Sequence, residues 1–96
     1  MDDLEAQAAQ LRKLIFNEKN VSVLKEKIKE NVDEIRRSHT DSEETLSEIL
    51  HYAVVSSNQT AISALMTQNV APSQATVSMA ERRGLTLFYK RTDLDY

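Results

Sequence analysis

The chain has 96 residues, with 12 basic and 15 acidic side chains for a formal charge of -3, one glycine, one proline, no cysteine and no tryptophan. That length supports a single domain with a modest core. The charge offers no general attraction for a polyanion, and the missing cysteines exclude disulfides and thiolate chemistry. The acidic start from Met1 to Gln7 lacks the basic-then-apolar pattern of a secretory signal. No run approaches the roughly 20 apolar residues of a membrane helix, so no membrane span is expected and the cytoplasm is the default location.

The hydrophobic content of 41% is drawn mostly from Leu, Ile, Val and Ala, a mixture suited to packed helices. Residues 3–38 are rich in Ala, Leu, Glu, Lys, Gln and Arg, which lose least on entering a helix. Leu14, Val21, Ile28 and Ile35 recur every seven residues and are flanked by Leu11, Leu24 and Val32. This places an apolar stripe along one face. Glu18 and Lys25 interrupt the strict coiled-coil pattern, and Asn17 and Asn20 mark a kink or short break.

Between residues 37 and 44 there is no apolar side chain, and Thr40 followed by Glu43 fits a capping box. The reading is one helix ending near Ser38 and a second from Asp41 to about Asn69, with an unbroken rod as the competing reading. Such a pair forms an antiparallel hairpin with arms of roughly 54 and 44 Å at 1.5 Å per residue. Two helices of that length leave apolar surface wet, so further helices from a second copy or a partner are expected to cover it.

The second helix strengthens that expectation. From Ile49 to Ala80, 32 residues carry no Asp, Glu, Lys or Arg. Its apolar residues point several ways around the axis, so the helix should be covered on more than one side. Leu46, Leu50, Val54, Ala61 and Leu65 are the expected interface residues here, alongside the stripe of the first helix.

Pro72 disfavours helix at Ala71. Ser73 would cap a short helix through Arg83, which Gly84 would close in a left-handed conformation. Residues 85–89 alone have strand character. Arg82, Arg83, Lys90 and Arg91 bracket Leu87, Phe88 and Tyr89, a pattern that suits docking on a protein and, less well, phosphate contact with stacked bases.

Chemistry is thinly represented. His39, Asp41, Glu43, Glu44 and His51 have metal-ligand side chains, but cap and loop roles account for all five. One glycine cannot build a phosphate loop, and no strand-turn-helix elbow holds a serine. No enzyme activity, cofactor or metal is therefore expected.

The whole is read as an all-α chain, a long antiparallel hairpin or coiled-coil-like pair forming an oligomeric bundle, with a short C-terminal helix and extended tail. Residues 1–70 are assigned to oligomerisation and 71–96 to docking. The expected function is non-enzymatic self-association, with the C-terminal segment contacting a protein partner. A scaffold presenting that segment to RNA or DNA is one alternative, and an accessory subunit of a larger phage, viral or secretion complex is another.

Overall fold

Asn20 divides the first predicted helix in two. In the computed structural model, which describes residues 3–87, α1 spans Asp3–Asn17 and α2 spans Val21–Ser38. The Asn20 side chain accepts from the Val23 amide at 3.0 Å, and the Asn20 backbone amide donates to the Glu18 carboxylate at 3.2 Å. These bonds satisfy amides that a new helix start would leave unpaired. The break also resets the helical register. Val21, seven residues after Leu14, is therefore 53% exposed, whereas Leu24, Ile28, Val32 and Ile35 of α2 are buried.

The second predicted helix is divided as well, into α3 (Glu43–Val55) and α4 (Gln59–Thr67), and α5 follows at Gln74–Arg83. Three of these helices stop in the same way. After α3, the Asn58 amide donates to the Ala53 carbonyl at 3.0 Å and the Ser57 amide to the Val54 carbonyl at 2.9 Å. After α4, Val70 donates to Leu65 and Asn69 to Met66. After α5, Leu85 donates to Ala80 and Gly84 to Glu81. Each pair is the six-to-one and five-to-two pattern of a Schellman stop, whose turning residue needs a left-handed backbone. Ser57 (φ 56), Asn69 (φ 65) and Gly84 (φ 69) supply it.

Four long-range polar contacts fix the helix directions. His39 and Gln7 meet at 2.8 Å, joining the end of α2 to the start of α1. Asn58 donates to the Ile15 carbonyl at 3.1 Å, and Arg83 donates to the Ser57 hydroxyl at 3.1 Å. Arg36 donates to the Gln68 carbonyl at 2.6 Å. The helices therefore alternate in direction along the chain. We call the end holding residues 38–43 and 68–73 apical and the end holding residues 17–21, 55–59 and 84–87 basal.

Packing follows a ring rather than chain order. α1 lies against α2 and α3, α4 lies against α2 and α3, and α5 packs on the outside of α3. α2 and α3, though consecutive, sit on a diagonal. Leu11, Ile28, Leu46, Ile62 and Leu65 fill the shared interior with no exposure, each worth roughly 1.5–3 kcal/mol relative to exposure.

Several sequence expectations change. The long hairpin of 3–38 against 41–69 is replaced by four shorter helices, in which the second half of the chain does not fold back along α2 alone. The Thr40 capping box does not form: Ser42 is the N-cap of α3 and makes no side-chain cap bond, and Glu43 turns instead to Arg36. Residues 85–87 are not a strand, and Phe88 and Tyr89 lie outside the described residues. The short helix after Pro72 has its expected ends, Ser73 capping at 3.1 Å from the Thr76 amide and Gly84 left-handed. No helix among the described residues is long and apolar enough to cross a membrane.

Candidate functional site

The residues expected to face a second copy are mostly inside this one. Leu11, Leu24, Ile28, Val32 and Ile35 from the first half of the chain are buried, as are Leu46, Leu50, Val54, Ala61 and Leu65 from the second. Leu14 is half-buried against the same core. The uncharged stretch has the same explanation. α3 is bordered by α1, α4 and α5, and α4 by α2 and α3, so the chain's own helices supply the covering that the missing charges require. Of the expected interface residues, Val21 alone is exposed.

Val21 belongs to a different surface, at the basal end. Among the described residues the exposed large hydrophobic side chains are Phe16 (66%), Val21 (53%) and Val55 (42%), and all three lie there. Phe16 and Val21 border a groove of about 390 Å³ that continues over Leu24, Lys19, Ser57 and Thr60. α1 places Phe16 outward because its buried face runs through Ala8, Leu11 and Ile15, leaving position 16 turned away. The helix ends one residue later. Phe16 went unnoticed in the sequence because it lies off the apolar stripe. That offset, an aromatic next to a helix break and outside the core period, was the available signal.

The C-terminal contact residues begin at the same end. Arg82 is exposed, while Arg83 donates to the Ser57 hydroxyl and lies 3.3 Å from the Met79 sulfur. The Gln59 side chain and the Thr86 backbone exchange two hydrogen bonds at 2.9 Å, and Leu87 packs partly buried against the core. Phe88, Tyr89, Lys90 and Arg91 lie outside the described residues.

The titratable and hydroxyl groups are engaged in holding helices together. Arg36 grips both Glu43 carboxylate oxygens at 2.8 and 2.9 Å while donating to the Gln68 carbonyl, so one guanidinium joins α2, the start of α3 and the end of α4. His51 Nδ1 lies 2.9 Å from the Thr76 hydroxyl, which in turn lies 2.8 Å from the Ser73 hydroxyl. Thr76 is fully buried and Ser73 is occupied as a cap. Beside this chain, Glu44, Ser47, Glu48 and Ala75 border a second groove of about 360 Å³ on the α3–α5 flank. On α2, hydrogen bonds from the Arg37 guanidinium and the Ser38 hydroxyl hold the Glu34 carboxyl below its usual range. Among the described residues no three His, Asp or Glu side chains are grouped to hold a metal ion.

Charge is sorted along the bundle. Splitting each described helix at its midpoint, and counting Glu18 and Lys19 with the basal end and Asp41 with the apical end, gives the basal half eight basic and three acidic side chains, and the apical half two basic and nine acidic. The two halves therefore differ in sign, near +5 and -7. The near-neutral total conceals this segregation. No protein-family profile, curated protein sequence or solved structure matches the chain.

Proposed function

We propose that this all-helical chain is a non-enzymatic association protein whose contact surface is the basal end of the bundle. The carrying observation is that Phe16, Val21 and Val55, the exposed large hydrophobic side chains among the described residues, all stand at that end, with Phe16 and Val21 bordering a groove. Scattered apolar residues need no partner, but a cluster beside a concavity is the usual signature of a protein contact. Arg82, Arg83 and Leu87, the described part of the expected C-terminal contact, stand at the same end, which supports that segment's expected part in docking.

The measurement is sedimentation equilibrium of the full chain at micromolar concentration, beside Phe16→Ser. The wild type should exceed 10.9 kDa, and the substitution should return it to that mass with unchanged helicity. If Phe16→Ser leaves the mass distribution as it was, the basal end is not the contact surface.

A second reading draws on the positive sign of the basal half, where Arg82, Arg83 and Lys19 accompany an exposed aromatic ring. Such a surface also suits single-stranded nucleic acid. Titration of a labelled oligonucleotide at two salt concentrations separates the readings, since phosphate contacts weaken steeply as salt rises. An absence of binding at low salt removes the second.

A further inference from the structure

We infer that the basal end of one copy seats on the acidic α3–α5 flank of a second copy, in a head-to-tail contact between different surfaces of the same chain. This rests on the reading of the basal end as an association surface and names its partner.

Charge complementarity selects the partner. Two basal ends placed face to face would bring net positive surfaces together. A basal end placed on an apical half meets the opposite sign. The individual groups match as well. The three ion pairs among the described residues are Lys29 with Asp33, Arg36 with Glu43 and Arg37 with Glu34. Lys13 and Lys19, three residues to either side of Phe16, form none of them. Neither do Glu44 and Glu48, one turn apart on α3. Two exposed lysines and two exposed carboxylates are thus left without an ion-pair partner within the described chain.

Shape agrees with charge. Phe16 projects from the end of α1, and the flank groove of about 360 Å³ has Ala75 on one wall and Glu44, Ser47 and Glu48 on the other. An aromatic ring entering beside Ala75 brings its flanking lysines towards the two carboxylates. The ring then loses water while the ion pairs remain at the rim, the arrangement common to specific protein contacts.

A contact between two different surfaces leaves one of each unused at the ends of every oligomer. The species formed should therefore lengthen with concentration rather than stop at a dimer. Because the attraction is between exposed charges, salt should weaken it.

The test is sedimentation velocity on the full chain with two double variants. Phe16→Ser with Val21→Ser removes the basal surface, and Glu44→Gln with Glu48→Lys removes the flank. All four positions are exposed, so circular dichroism should report unchanged helicity; Glu48→Gln alone is the milder flank variant if it does not. Each double variant alone should be monomeric where the wild type assembles. An equimolar mixture should give a heterodimer and nothing larger, since each variant retains one intact surface. Wild-type association should weaken about tenfold on going from low to high salt.

A flank variant that assembles like the wild type overturns the inference and leaves the basal surface standing. So does a mixture that stays monomeric. A basal variant that assembles like the wild type overturns the basal reading itself, and a wild type that remains monomeric overturns both.

Discussion

Asn69 and Ser57 hold a left-handed backbone in which a Cβ costs roughly 1–2 kcal/mol. Asparagine tolerates this region better than other non-glycine residues, and Asn69 commits no side-chain hydrogen bond among the described contacts: its backbone amide donates to Met66 and its backbone carbonyl accepts from Arg36 at 3.4 Å. Asn69→Gly should therefore raise the melting temperature, and Asn69→Ala should lower stability by about 1 kcal/mol. Thermal denaturation followed by circular dichroism checks both signs. Ser57 is a poorer place to try the same exchange, because its hydroxyl accepts from Arg83.

Arg36 is the other residue on which much converges. Lysine would keep the charge at that position but cannot present a planar fork to Glu43 and also reach the Gln68 carbonyl. Arg36→Lys should destabilise the chain by roughly 1–3 kcal/mol, measured by urea unfolding. A change within experimental error would mean that the apical junction is held by packing alone.

At the scale of the helix, Asn58 does two things that no single substitute can. Its carbonyl oxygen accepts from the Ala61 amide at 3.0 Å and caps α4, while its amide nitrogen donates to Ile15 at the end of α1. Aspartate is ordinarily as good a cap as asparagine. Here it would set a carboxylate against a carbonyl at the negative end of α1. Asn58→Asp should lower stability by about 1–3 kcal/mol, with the loss shrinking at low pH as the carboxylate is protonated. A neutral result in urea unfolding at pH 7 would show that the bond to Ile15 contributes nothing.

Helix ends were the least evenly legible feature of the sequence. Ser73 and Gly84 stand at the two ends of α5 with strong local preferences, and the structure uses both. The stop after α3 has neither glycine nor proline to announce it. It depends on Ser57 accepting a left-handed backbone because Asn58 can then cap the next helix and reach α1. Thr40 and Glu43 misled for the opposite reason: the local capping pattern was present, but Arg36, seven residues earlier in the last turn of α2, offered Glu43 a stronger partner. Local signals hold where nothing long-range competes with them.

At the scale of the molecule, the all-helical class was readable from composition, and the missing charges fall largely on α3 and α4, which neighbouring helices of the same chain cover. What composition could not give was the identity of the cover. Ile28 illustrates the difference, since the stripe it belongs to is indistinguishable in sequence from a seam between copies, yet the residue has no exposure in the single chain. Ile28→Ala should cost about 2–5 kcal/mol of unfolding free energy and should leave any association constant of the folded fraction unchanged. Loss of association without loss of stability would restore the stripe to an interface. The basal surface was hidden for a related reason: Phe16 and Val21 lie on different helices, and Val55 on a third, so their place at one end exists only after the bundle forms.

The diagonal placement of α2 and α3 carries one more consequence. Because α1 leans on α3 and α2 on α4, the first forty residues and the remainder are interlaced, and the shared interior needs both. A chain in synthesis therefore has no complete four-helix interior until α4 has emerged, and α5 then adds Thr76 and Ala80 to what is buried.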